Sequence, residues 1–255
     1  MDLPTKTVLI TGAGSGIGAA VAENLAIKAF NVIVSDLNLS SAEKVSAKIN
    51  AHGGHARALG LDVADQQSIE SCAATHPEID ILVNNAGLQF VAKLESFPPE
   101  KWRLLIDVLL VGPAMLTRAL LPAMRERGYG RIINVGSIHA LVASPFKSAY
   151  VAAKHGLLGF SKVLALETAD QNITINTICP SYVKTPLVES QIMQQAREHG
   201  MSEADVIDKI MLEPMPKKAF IGMDELVAAT IFLISDEARN MTGQTLTIDG
   251  GWTIK

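Results

Sequence analysis

Residues 7–36 leave few folds open to this chain. Thr7 to Thr11 is a short apolar run that reads as a strand, and Ile17 to Ala29 carries apolar positions at helical spacing. Between them lies Thr11-Gly12-Ala13-Gly14-Ser15-Gly16-Ile17-Gly18. Glycines let a backbone turn tightly and approach a phosphate. The amino terminus of the following helix offers unpaired N–H groups and a favourable dipole. Asn31 to Ser35 reads as a second strand, and Asp36 follows it, twenty residues after Gly16. A carboxylate at that place accepts hydrogen bonds from an adenosine ribose. Gly12, Ser15, Gly16, Ile17, Gly18 and Asp36 are therefore expected to hold a dinucleotide. The same carboxylate repels a 2′-phosphate, and Leu37 and Asn38 bring no cation, so NAD is expected over NADP. Ser40 is expected to cap the next helix, which leaves Asp36 free for the cofactor.

The alternation continues. Ser40 to Asn50 reads as a helix, His55 to Leu61 and Ile79 to Val83 as strands, and Pro99 to Arg127 as one long helix with Pro113 inside it. Gly130 to Val135 reads as a strand, Ser148 to Thr168 as a helix, Ile173 to Ile178 and Gln244 to Ile248 as further strands. Strands alternating with helices predict an α/β fold: a single-domain doubly wound parallel sheet, Rossmann-like, with helices on both faces. With 255 residues, 48% of them hydrophobic, residues 1–255 are expected to form that one domain. The net charge of −4 and the lack of long Lys/Arg runs exclude nucleic acid as an expected partner. Cys72 and Cys179 stand far apart without metal-ligand spacing, so no metal is expected and reduced, buried thiols are. No basic-then-apolar leader opens the chain, and no apolar stretch reaches ~18 residues. A cytoplasmic protein without a membrane span is expected.

The chemistry concentrates in Ser137 to Lys154. Tyr150 and Lys154 lie four residues apart in a segment of helix formers, which stacks them on one helix face. An ammonium beside a phenol favours the phenolate and is expected to lower the tyrosine from about 10. Such a tyrosine takes a proton from an alcohol near neutral pH. Ser137 follows a buried strand, on the edge where open α/β sheets bind ligands, and could hold the same substrate oxygen.

Together these elements resemble the short-chain dehydrogenase/reductase family over essentially the whole chain. Its Gly-x-x-x-Gly-x-Gly turn matches Gly12, Gly16 and Gly18, its Asp-Val matches Asp62-Val63, and its Asn-Asn-Ala-Gly matches Asn84 to Gly87. Ser137, Tyr150 and Lys154 match its catalytic residues, and Pro180 to Thr185 resembles its nicotinamide-flanking run. The resemblance implies cofactor contacts from Asp62, Val63, Asn85, Ala86, Gly87, Tyr150, Lys154, Pro180, Val183 and Thr185. A narrower resemblance, to bacterial D-3-hydroxybutyrate dehydrogenases, rests on Gly87-Leu88-Gln89, Ser137-Ile138-His139, Phe146 to Tyr150, Thr185 to Gln191 and Gly250 to Thr253. It implies that Gln89, His139, Lys147 and Gln191 hold a substrate carboxylate, with Ser137, Tyr150 and Trp252 also at the substrate.

The implied activity is NAD-dependent interconversion of D-3-hydroxybutyrate and acetoacetate. Alternatives are a short-chain dehydrogenase for another hydroxy acid, a sugar alcohol or an acyl thioester, and a dinucleotide-binding sensor or scaffold with weak catalysis. Residues 187–215 are expected to form two short helices acting as a substrate lid. The resemblance also implies a homotetramer. Two departures from the family stand out. Tyr182 replaces the tryptophan of Pro-Gly-Trp, and Leu109 stands where Val-Asn-Leu-x-Gly has asparagine. Pro113, four residues on, lacks the N–H that would bond the Leu109 carbonyl. It is expected to kink the helix there and leave that carbonyl to an ordered water, replacing the asparagine in a proton relay.

Overall fold

The inner apolar runs become parallel strands because they are covered on both faces, while the two edge strands stay partly exposed. A computed structural model describes residues 6–254; residues 1–5 and 255, included in the one-domain expectation, lie outside. Seven strands among the described residues form one sheet in the order β3-β2-β1-β4-β5-β6-β7. They are β1 (Thr7–Ile10), β2 (Asn31–Asp36), β3 (His55–Gly60), β4 (Ile79–Asn84), β5 (Tyr129–Val135), β6 (Asn172–Pro180) and β7 (Thr245–Ile248). Every neighbouring pair is parallel, with Val8 opposite Val32 and Ile10 opposite Val34 in the first. The order reverses at β1, which pairs β2 on one side and β4 on the other. A crevice opens at the carboxyl ends of strands flanking such a reversal.

Side-chain alternation splits the core in two. Val8, Ile10, Val32, Val34 and Val83 face α1 (Gly16–Ile27) and α9 (Met223–Ile234), where Leu25, Leu226 and Leu233 meet them. Leu9, Ile33, Leu82 and Ile132 face the other way. There they meet Leu105 of α4 (Pro99–Ile106), Leu116 and Leu120 of α5 (Gly112–Arg127) and Leu164 of α6 (Ser148–Glu167). Full burial of each such side chain contributes about 1.5–3 kcal/mol, which fixes strand register against a one-residue slip.

Four sequence expectations change. The helix α2 (Leu39–Ala51) is capped by Asn38, whose side chain accepts from the Ser40 N–H at 3.1 Å; Ser40 is not the cap. A helix not expected, α3 (Gln66–Thr75), has only Ile69 and Cys72 buried, too little periodicity to see in the sequence. The long helix is interrupted: Asp107–Val111 is a π turn, in which the Gly112 N–H reaches back to the Asp107 carbonyl. The break expected from Pro113 thus takes the form of a widened turn, a feature common at functional sites. Pro99–Arg127 also contains a window of mean hydropathy 1.9, long and apolar enough to cross a membrane by composition. Part of that window, 44%, is buried inside the fold, and Leu104 and Val111 stay exposed.

Residues 187–215 fall in two helical pieces. They are α7 (Pro186–His199) and α8 (Glu203–Val206), the latter running into a second π turn at Ile207–Met211. Ile192, Val206 and Met211 form a small cluster of their own.

Candidate active site

The turn between β1 and α1 is shaped by its floor. Gly12 has φ +61°, and a Cβ there would come within 2.8 Å of the Ala86 Cα. Asn85 braces the turn from below. Its Nδ2 donates to the Thr11 and Gly12 carbonyls at 2.8 and 3.0 Å, and its N–H donates to the Thr11 hydroxyl at 3.0 Å. A cleft of about 420 Å³ runs over this turn along the carboxyl edge of the sheet. Gly12, Ser15, Gly16, Ile17 and Asp36 line one end. Asp62 and Val63, which follow β3 beside β2, line the Asp36 end, and Asn85, Ala86 and Gly87 line the middle. Ser137, Tyr150, Lys154 and Pro180 line the other end; Val183 and Thr185 also line the cleft, with Thr185 beside Gly16. Gly18 does not belong to the wall. It is buried beneath the turn, where a Cβ would stand 2.8 Å from the Ala13 Cα, so its role is packing.

Asp36 is fixed at the far end by two N–H donors, Gly14 at 3.0 Å and Asn38 at 2.9 Å. Leu37 and Leu61 beside it also line the cleft; their positions next to Asp36 and Asp62 were the only signal for them. The donor set fits a dinucleotide: backbone N–H groups at the start of α1 for the pyrophosphate, and an oriented carboxylate for the ribose.

At the other end, α6 carries Tyr150 and Lys154 on one face. Ser137 follows β5, and hydrogen bonding with it draws the Tyr150 phenol down. Burial nonetheless wins and pushes the phenol up to about 12. The expected lowering by Lys154 does not appear. Lys154 Nζ donates to the Val135 carbonyl at 2.6 Å and lies 5.7 Å from the Tyr150 ring centre. Burial also draws Lys154 down, to about 8. The ammonium is spent on a carbonyl, and desolvation acts on both groups against charge. Leu109, 1% exposed, walls the cleft near this pair, where the family has asparagine.

A second cavity of about 80 Å³ opens from the Ser137–Tyr150 end. It gathers Gln89, His139, Lys147, Gln191 and Trp252, which come from positions spread across the chain. Ser181, Tyr182, Leu187 and Val188 complete its wall. Lys147, only 8% exposed, contacts His139 Nε2 at 3.2 Å and the Tyr182 hydroxyl at 3.5 Å. Burial draws Lys147 down to about 8; burial and the Lys147 charge together draw His139 down to about 4. Phe146, with φ +67°, turns the chain so that Lys147 enters the cavity, and its carbonyl accepts from the Ala92 N–H at 3.0 Å. Trp252 packs against both His139 and Tyr182, with ring centres 5.9 Å apart in each case.

The arrangement is a hydroxyl pair and a buried lysine beside a dinucleotide cleft, opening on a small cationic pocket. The family model for short chain dehydrogenases matches residues 6–196. A D-beta-hydroxybutyrate dehydrogenase of Rhizobium meliloti is 42% identical, over 98% of this chain and all of its own. One of Cupriavidus necator is 43% identical over 98% of each chain. Among solved structures, a single-residue variant of an actinorhodin polyketide ketoreductase with NADPH superposes with a TM-score of 0.92 at 30% identity, over 97% of each chain. The fold, the cleft and these matches agree: this chain belongs to the short-chain dehydrogenase family and is an oxidoreductase of the kind that binds a nicotinamide dinucleotide.

Proposed function

We propose that the protein is an NAD-dependent dehydrogenase that interconverts D-3-hydroxybutyrate and acetoacetate. The observation that carries this reading is the buried cation of the second cavity. Lys147 is held out of water and against the site of proton transfer, which is costly unless an anion arrives to pair with it. A short hydroxy acid supplies that anion. A sugar alcohol or cyclic alcohol does not, and an acyl thioester has no carboxylate beside the reacting carbon.

In this reading Gln89 and Gln191 complete the carboxylate set with Lys147, and Trp252 and Val188 cover the apolar end. The substrate hydroxyl lies between Ser137 and Tyr150. Ser137 holds the oxygen, and Tyr150 takes its proton as the carbonyl forms. This needs the phenolate, so the positive charges of Lys154 and the bound nicotinamide have to offset the burial that raises the phenol in the cofactor-free chain. Lys154 holds the nicotinamide ribose and keeps positive charge near the phenol. Its bond to the Val135 carbonyl fixes it for that work. Bound NAD supplies the hydride acceptor. The Leu109 carbonyl, whose partner four residues on is Pro113 and has no N–H, would accept from and hold a water that carries the proton on.

Asp36 supports NAD over NADP, because a fixed carboxylate followed by the uncharged Leu37 and Asn38 opposes a 2′-phosphate. The helices α7 and α8 act as a lid, since Leu187, Val188 and Gln191 of α7 already wall the substrate cavity. The decisive assay is reduction of NAD and of NADP with D- and L-3-hydroxybutyrate. Turnover of the D acid with NAD is expected. A preference for an uncharged alcohol or a thioester overturns the reading.

A further inference from the structure

We propose that the Tyr182 hydroxyl donates to the substrate carboxylate, beside Lys147, as a binding residue that the tryptophan of the family pattern does not supply. The inference rests on the carboxylate reading of the second cavity. The family pattern Pro-Gly-Trp places no hydroxyl here.

The backbone around Tyr182 is pinned on both sides. The Ser181 N–H donates to the Ile248 carbonyl at 3.0 Å, and the Ile221 N–H donates to the Tyr182 carbonyl at 2.9 Å. The ring lies against Trp252 at 36°. Tyr182 lies in the loop between β6 and α7, and these backbone bonds and the Trp252 ring hold its hydroxyl in place. Lys147 Nζ is 3.5 Å from that hydroxyl but 5.6 Å from the ring centre, so it stands off the hydroxyl end and not over the ring face.

An inventory of protons then assigns the roles. An ammonium has three donors and no acceptor. One Lys147 N–H points to His139 Nε2 and one to the Tyr182 oxygen, which leaves one for the substrate. The Tyr182 oxygen accepts from Lys147, so its own hydrogen points elsewhere; among the described residues nothing accepts it. His139 is neutral near pH 7, and an Nε2 facing an ammonium is an acceptor. It therefore orients Lys147 and does not donate to the substrate through that nitrogen. A carboxylate has about four lone-pair sites to fill. The free Lys147 N–H and the Tyr182 O–H, rooted at atoms 3.5 Å apart, match its two oxygens.

Tyr182→Phe removes only the hydroxyl. A hydrogen bond to a charged group is worth enough to change an equilibrium about tenfold or more. The KM for D-3-hydroxybutyrate should rise about tenfold, with kcat and the KM for NAD within about twofold. Calorimetric titration of butyrate into the NAD-bound enzyme should show the same loss of affinity. If kcat or the KM for NAD worsens in step with the acid KM, Tyr182 is only a wall and the inference falls. Equal butyrate affinity in both proteins, or none in either, also overturns it. If the wild type does not oxidise the acid, the functional reading fails by itself. The butyrate titration then still decides the role of Tyr182.

Discussion

Lys147→Met separates what the cation does for binding from what it costs the fold. The substitution keeps the length of the stem and removes the charge. In the folded protein Lys147 titrates at about 8 instead of 10.5, so holding its charge costs about 3 kcal/mol. Methionine relieves that cost but leaves His139 Nε2 and the Tyr182 hydroxyl without their partner, at about 1 kcal/mol each. The net expectation is a gain of about 1 kcal/mol, or a Tm about 2–4 °C higher for a chain of this size. Binding moves the other way. Loss of a charged hydrogen-bond partner costs about 1.5–3 kcal/mol, so the KM for D-3-hydroxybutyrate should rise about 10- to 150-fold. The KM for NAD should stay within about twofold, because Lys147 lines the second cavity and not the dinucleotide cleft. Steady-state kinetics and a melting curve of the cofactor-free enzyme read both arms. An unchanged acid KM refutes the anchor, and a fall in Tm of several degrees refutes the desolvation argument.

Raising the pH through about 8 removes the Lys147 proton, so the acid KM should climb above that pH, and Lys147→Arg should flatten the climb. In stability the sign reverses: between about 8 and 10.5 the unfolded chain binds more protons at Lys147 and Lys154 than the folded one. Those two lysines therefore add stability with rising pH in that window, and Lys147→Met should show a smaller gain by thermal melts. Asp36→Ala should raise the KM for NAD about tenfold and bring NADP turnover up, from a loss of about 1.5–3 kcal/mol at the ribose; an unchanged NADP-to-NAD ratio refutes the ribose role. Hydrogen exchange across Pro186–His199 should slow when NAD and butyrate are added, and equal protection with and without them sinks the lid. Leu104, Val111, Val163 and Leu166 leave apolar surface exposed on the α4–α6 side, so light scattering should give a tetramer, and a monomeric mass refutes it.

The parts of this protein that depend on neighbours in sequence were legible without coordinates. Most strands of the sheet are apolar runs short enough, and turn-bounded enough, to declare themselves. The Gly12–Gly18 turn and Asp36 sit within one β-α-β unit, whose geometry follows from local chain stiffness. Tyr150 and Lys154 share a face because a helix repeats every 3.6 residues. What failed was decided by contacts between distant segments. The helix α3 formed with only two side chains to bury, because α5 was there to receive it; the Asn38 cap is the local exception, a bond two residues long. Gly18 matched the family turn yet went beneath it, since only the packed structure shows which glycine faces the cleft. The Tyr150–Lys154 spacing predicted a lowered phenol, but tertiary packing removed water from both groups and gave the ammonium the Val135 carbonyl. The second cavity is the clearest case. Its members run from Gln89 to Trp252, and no spacing in the chain announces that His139, Lys147 and Tyr182 meet at one nitrogen. Sequence set the residue types available, while the shared low-dielectric pocket set which of them donate, which accept and which keep a charge.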